Sequence, residues 1–408
     1  MNARFGLLVL SALLFQACNC GRQGLLNVHD VCHDDPARCK SGNFDAPPPA
    51  NPIATNVGSV EPPCTTEYGE VQGKVCAPDQ MTWVNGAAVT IDAVDCEGKP
   101  ANLSATTGND GSFHLTNVPA GQWTVHATLG AFTQDLPVTV TSGQTYQIPD
   151  NQLCVAQRTV KIAVITGMGD KIEDLLTSLN LTYTLIGGDS ATWNTQAEPF
   201  LSDLNQMKKY DLIFVDCAAA RGTNSTIDFG NNATLIENNL NAYVRGGGSL
   251  YASDWALLFA LYAAPGGFSF QTQNPGAIIN PLNTKELMGY APQTVTANIA
   301  DPALAAFLSK SSVSINFPKQ TGAVSLHWGL MNAVPGATIL AEANGVQTCA
   351  DTTCSSAGST INQVPLAMKV KLTPASERGG SVLYTSFHNI AQSGGDVAQI
   401  LKWMVLTL

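Results

Sequence analysis

Four residues have the types and positions to do chemistry: Cys217, Ser253, Asp254 and His388. Cys217 ends the apolar run Tyr210-Asp-Leu-Ile-Phe-Val-Asp216. Ser253 and Asp254 end the run Ser249-Leu-Tyr-Ala, and His388 follows Val382-Leu-Tyr-Thr-Ser-Phe387. Each run reads as a strand, so all four residues fall at carboxyl ends, the edge where open α/β sheets place ligands. Two nucleophile sets are conceivable: Ser253 with His388 and a carboxylate from Asp254 or Asp216, or Cys217 with His388. The competing reading makes Ser253 the cap of the next helix, gives Asp254 to the helix start and uses Trp255 for packing. A strand-end cysteine such as Cys217 is usually buried packing. The residue types favour this second reading. Gly246-Gly-Gly248 is a helix stop, because it precedes a strand, whereas phosphate-cradling loops follow one.

The elements that position these residues repeat an alternation. Thr159–Thr166 is a near-continuous apolar strand, as in a sheet covered on both faces. Gly167-Met-Gly-Asp170 turns into a helix over Lys171–Leu179. Leu181–Ile186 and Leu212–Val215 are strands, and Thr234–Arg245 is a helix carrying Leu235, Leu240 and Val244. Ser249–Ser253 and Gly380–Phe387 are further strands, and Val397–Leu406 closes the chain as a helix. This order predicts a doubly wound, flavodoxin-like parallel sheet over residues 158–408. Residues 260–320, rich in Pro, Gly, Asn and Gln, read as an elaboration over the sheet edge. His327-Trp328 is placed near the same rim.

The string Tyr243-Val-Arg-Gly-Gly-Gly-Ser-Leu-Tyr-Ala-Ser-Asp-Trp255, with the strands before and after it, resembles the class I glutamine amidotransferase-like fold and its ThuA-like relatives. The resemblance implies a scaffold and, in active members, a cysteine in a Gly-x-Cys-x-Gly elbow with a later His-x-Glu. Here the elbow reads Tyr251-Ala-Ser-Asp-Trp255, and His388 is followed by Asn389 and Ile390. The catalytic residues therefore do not carry over.

Residues 68–154 precede this part as short alternating runs separated by turns, the pattern of an all-β sandwich. Gly73, Gly86-Ala87, Val89, Thr107, Asp110-Gly111, Phe113, Leu115, Val118-Pro119, Gly121 and Val125 resemble the carboxypeptidase regulatory-like domain, a transthyretin-like sandwich. That resemblance implies a non-catalytic spacer or adhesion module. His114 and His126 lie on its strands without a ligand partner nearby in sequence and read as ordinary surface or half-buried residues.

The chain begins as an export signal: Arg4, then the apolar stretch Phe5–Phe15, then Gln16-Ala17-Cys18. The apolar stretch is short of the roughly 20 residues a spanning helix needs. Cys18 makes it resemble a bacterial lipoprotein signal, which implies removal of residues 1–17 and a lipid on Cys18. The alternative is an ordinary secretory signal cut after Ala17, with Cys18 in a disulfide. Asn19, by resemblance to a familiar sorting rule, implies the outer membrane. Residues 18–67 form a tether stiffened by Pro47-Pro-Pro49, Pro52 and Pro62-Pro63. Its ligand-type residues, His29 to Cys39, match no zinc spacing, and no metal or cofactor is expected from the sequence.

Of the chain's 11 cysteines, ten remain once Cys18 is set aside, which in an exported chain points to disulfides. Cys349 and Cys354 bracket a polar turn and are the easiest local pair. Cys64 and Cys154 flank the sandwich and could staple its ends. Net charge is −11, with no Lys/Arg-rich run, which argues against nucleic acid. Only 12% of residues are charged, where about 25% is usual, so the solvated surface is built from Asn, Thr, Ser, Gln and Gly. The sequence thus describes an exported, lipid-anchored cell-envelope protein with a binding or structural role, attached to a membrane through its lipid. Its ligand could be a small molecule, a glycan or an envelope protein. The alternative is an envelope hydrolase using Ser253 or Cys217 with His388.

Overall fold

The computed structural model describes residues 64–217, 219, 229–270, 288–318, 327–350, 354–372, 380–390, 392 and 395–408. Residues 1–63, which hold the stretch read as an export signal with Cys18, Cys20, Cys32 and Cys39, lie outside the described residues. The chain divides after Pro63 into two units, and all described residues belong to the second. That unit is mostly β and contains several sheets. No described helix is long and apolar enough to cross a membrane.

The first part is built from β1 (Tyr68–Lys74), β2 (Ala88–Ile91), β3 (Leu103–Thr106), β4 (Ser112–Pro119), β5 (Gly121–Leu129), β6 (Phe132–Val140) and β7 (Thr145–Gln147). They form two sheets, β4-β1-β7 and β3-β2-β5-β6. Alternation decides which residues face inward: Val89 and Ile91 of β2 are buried opposite Ala127 and Val125 of β5. Together with Val71 and Leu115 of the other sheet they fill one core. The turn before β4 needs glycine at Gly111, which has φ +75° and would bring a Cβ to 2.8 Å from the Val75 carbonyl oxygen. Asp110 supports this turn by accepting from the Ser112 backbone N–H and hydroxyl.

Cysteine pairing corrects the expected staple between Cys64 and Cys154. Cys154 lies in a bridge pair beside Cys76, Cα atoms 4.2 Å apart, and is joined to it. Cys64 is joined to Cys96. Each end of the sandwich is therefore tied to an inner position, because the backbone brings those neighbours, and not the other end, within bonding range. Cys349 and Cys354 are joined to each other.

The second part continues with β8 (Ile162–Thr166), β9 (Thr184–Gly187), β10 (Leu212–Val215), β11 (Ser249–Ser253), β12 (Ser269–Phe270), β13 (Met288–Tyr290), β14 (Gln293–Ile299) and β15 (Ser312–Phe317). It ends with β16 (His327–Gly329), β17 (Met331–Asn332), β18 (Thr338–Ala343), β19 (Val346–Cys349), β20 (Ala357–Ile361), β21 (Val364–Lys371) and β22 (Ser381–Thr385). The helices are α1 (Ile172–Ser178), α2 (Ala197–Ser202), α3 (Leu204–Met207), α4 (Ala233–Arg245), α5 (Leu257–Ala263), α6 (Pro302–Leu308) and α7 (Asp396–Thr407).

A nine-stranded sheet in the order β15-β14-β18-β21-β22-β11-β10-β8-β9 forms the centre. From β22 to β9 neighbouring strands run parallel. From β22 to β15 they run antiparallel. The sheet is thus mixed, which corrects the expected all-parallel one. The segment read as a loop elaboration supplies β14 and β15 of this same sheet. Alternate residues of the parallel strands enter two cores: Val164, Phe214 and Tyr251 join one, and Ile165, Val215 and Ala252 the other. The parallel half is therefore covered on both faces. Helices α1 and α7 share the first core, and α4 and α5 the second. The first core runs on into the sandwich, where Gly130 lets the turn approach α7: a Cβ there would lie 2.5 Å from the Leu406 carbonyl oxygen.

Candidate functional site

The parallel strands deliver Cys217, Asp254 and His388 to one place. Cys217 follows β10 by two residues, Asp254 follows β11 directly, and His388 follows β22 by three. Asp254 begins a tight turn with φ +42°, a left-handed conformation that a residue with a Cβ adopts at a cost. That turn swings its carboxylate away from the direction the strand would give it. Asp254 Oδ1 accepts the Gly329 N–H at 2.8 Å. Its Oδ2 lies 2.9 Å from His388 Nε2 and 3.6 Å from Cys217 Sγ, which donates to it. Tyr384 holds the turn from behind, its hydroxyl donating to the Asp254 carbonyl at 2.7 Å.

Neighbouring loops fix the other two residues. Gly167 and Gly169, after β8, pack on Cys217: a Cβ on Gly169 would lie 2.8 Å from its sulfur. The carbonyl of His388 accepts from Gln392 Nε2, which also donates to the Asn316 carbonyl. Asp170 ties the β8 and β22 loops together, accepting from the backbone N–H groups of Lys171 and Asn389.

The electrostatics follow from burial. Cys217 and Asp254 are 1% and 2% exposed, and the side chain of His388 is 12% exposed. Burial, with the Asp254 charge adding to it, pushes the Cys217 thiol up to about 12, although His388 acts the other way. Burial works against charge on His388, but Cys217 and Asp254 outweigh it and hold the imidazole well above its usual value. Asp216, fully buried, is held well above the usual carboxylate range by burial and by the adjacent Asp170 and Glu173.

Ser253 does not join the cluster. It is fully buried, its side chain makes no cap to the following turn, and its hydroxyl is buried without a hydrogen-bond partner among the described residues. The side-chain cap expected of Ser253 is therefore corrected. Asp216 is not the partner of His388 either; its Oδ1 accepts from the Ile172 N–H. Of the His327-Trp328 segment, the part that reaches the cluster is the next residue, Gly329, through its backbone. Trp328 stacks on Phe317, ring centroids 3.8 Å apart.

The three groups contact one another. Asp254 Oδ2 touches both the imidazole and the thiol, and the thiol and imidazole also interact with each other. The arrangement is three ligand-type atoms converging on one point, all within 4.8 Å of one another.

Residues 70–153 match the carboxypeptidase regulatory-like domain. The regulatory-like domain accounts for about a fifth of the chain. No curated protein matches the chain. Among solved structures it is similar to a ThuA-like protein of Bacteroides uniformis, at 10% identity over 60% of this chain and 89% of that one, TM-score 0.36. It is also similar to a glutamine amidotransferase of Thermotoga maritima, at 8% identity over 56% of this chain and 76% of that one, TM-score 0.31. A further similarity is to the major pilin subunit BcpA of Bacillus cereus, at 15% identity over 20% of this chain and 29% of that one, TM-score 0.17.

Proposed function

We propose that the chain is an exported, lipid-anchored cell-envelope protein of the outer membrane that binds a ligand or plays a structural role and has no amidotransferase activity. One observation carries the chemical half: the elbow after β11 holds Asp254, and both its oxygens are already engaged, by Gly329 and by His388 with Cys217. A nucleophile is missing where a scissile carbonyl would meet a strained turn. The nearest thiol, Cys217, is buried and strongly disfavours the thiolate that would attack. The regulatory-like domain acts as the spacer between membrane and ligand-binding part.

The parallel strands support reading the scaffold as flavodoxin-like. Counted in chain order, β8, β9, β10, β11 and β22 stand second-first-third-fourth-fifth across the sheet. The antiparallel strands extend it at one edge. The leader Arg4, Phe5–Phe15 and Ala17-Cys18 supports export and lipidation of Cys18. Several acyl chains at one residue would anchor the protein stably, unlike a single chain.

Metabolic labelling with a fatty-acid analogue tests the anchor. The wild-type chain should be labelled and sediment with membranes. Cys18→Ser should be unlabelled and released. A soluble, unlabelled wild-type chain after export would sink this half of the proposal.

A further inference from the structure

The convergence of Cys217, Asp254 and His388 has no part in the envelope role proposed above. Three strand ends supply one thiol sulfur, one imidazole nitrogen and one carboxylate oxygen, all within 4.8 Å of one another. Sulfur, nitrogen and oxygen in one set is the donor mixture of zinc sites, whereas magnesium and calcium take oxygen alone. Bonds of roughly 2.0–2.3 Å at tetrahedral angles place ligand atoms roughly 3.3–3.5 Å apart. The observed Sγ–Oδ2 separation is 3.6 Å, and Nε2–Oδ2 is 2.9 Å. Nε2 and Oδ2 are a few tenths of an ångström too close, which movement at His388, the most exposed of the three, relieves, and Sγ and Nε2 lie within 4.8 Å of each other.

The surroundings orient the donors as the outer shell of a metal site does. The Gly329 N–H occupies Asp254 Oδ1 and leaves Oδ2 turned toward the other two donors. The Tyr384 hydroxyl clamps the Asp254 backbone in its left-handed conformation. A non-glycine residue held there is a cost that a helix start does not require, since this turn has no side-chain cap. Gln392 fixes the backbone of His388. Cys217 and Asp254 form the closed floor, and the partly exposed His388 ring marks the side open to solvent.

We propose that Cys217 Sγ, Asp254 Oδ2 and His388 Nε2 bind a zinc-class divalent cation, with water in the fourth position. Binding displaces the thiol proton of Cys217 and the Nε2 proton of His388 to solvent and replaces the hydrogen bonds among the three groups with bonds to the metal. The proposal goes beyond the envelope reading and stands or falls separately from it, since it needs neither the lipid nor the leader.

Cobalt substitution tests it on the full mature chain purified in detergent. After chelation and dialysis, the wild-type chain should take up stoichiometric Co²⁺. The spectrum should show a thiolate-to-cobalt charge-transfer band and the intense visible bands of a four-coordinate site, and Zn²⁺ should displace both. Cys217→Ser should remove the charge-transfer band. His388→Gln should weaken binding by at least roughly 100-fold. X-ray absorption of the wild-type zinc form needs no variant, and should show one sulfur at about 2.3 Å with nitrogen and oxygen at about 2.0 Å. A wild-type spectrum without the charge-transfer band, a zinc shell without sulfur, or a band that survives in a folded Cys217→Ser chain would each overturn the proposal. The last result would place the metal on the tether cysteines.

Discussion

Asp254 is the residue on which the site turns. Its carboxylate is the common partner of Gly329, His388 and Cys217, and its backbone is held by Tyr384. Asp254→Ala would leave a buried cationic imidazole, a backbone N–H and a thiol without their acceptor. Removing one partner of a buried charge pair is costly, so urea unfolding should show a loss of about 3 kcal/mol. A loss under about 1 kcal/mol would mean that the carboxylate is not the organising group. Sequence reading reached this residue, with Cys217 and His388, because each ends a run that is plainly a strand. It misread the cap role of Ser253, since Ser253 and Asp254 are adjacent and the left-handed turn at Asp254 carries no side-chain cap. Gly329 and Tyr384 were not legible as site residues. The first acts through its backbone, and the second reads as an ordinary apolar position of a buried strand.

At the scale of elements, the β5 and β6 pair carries a testable charge cluster. His126 on β5 lies 2.8 Å from Asp135 on β6 and 2.8 Å from Asp92 just beyond β2. Burial works against its charge, but the two carboxylates outweigh it and raise the imidazole above its usual value. The stability this confers is therefore complete below the unfolded value, near 6.5, and is lost as pH rises through the higher folded value. The groups are largely solvent-exposed, so the effect should stay under about 1 kcal/mol. In an NMR titration the His126 ring should show a midpoint above 6.5, and His126→Gln should flatten this part of the stability profile. A midpoint at or below 6.5 would contradict the assignment. Sequence placed His126 correctly on a strand but missed both carboxylates, which pairing across three strands brings together. It also missed β14 and β15. Gln293-Thr-Val-Thr-Ala-Asn-Ile299 and Ser312-Val-Ser-Ile-Asn-Phe317 both alternate with period two, and Val295, Ala297, Val313 and Ile315 face inward. Their Thr, Asn and Ser residues on the outer face made a half-exposed sheet read as loop.

Over the whole molecule, the regulatory-like domain and the mixed sheet share one core, and a disulfide pins the chain close to their junction. Cys76 and Cys154 are 78 residues apart in sequence. Closing a loop of that length removes unfolded-state entropy worth about 4 kcal/mol. Cys76→Ser with Cys154→Ser should lower stability by up to that amount, and an unchanged unfolding midpoint would show that the link adds nothing. Alternation of strands and helices made the parallel half of the sheet legible. The antiparallel half was not, because β18 and β21 are separated by other strands and their pairing is non-local. The proposal made above gives the turn after β11 no amidotransferase chemistry. Ammonia release from glutamine by the purified chain tests this most directly, with Cys217→Ala, Ser253→Ala and His388→Ala measured alongside. All four proteins should release ammonia at the rate of the blank. Turnover by the wild-type chain that any one of these substitutions abolishes would contradict the proposal and make that residue part of an active site.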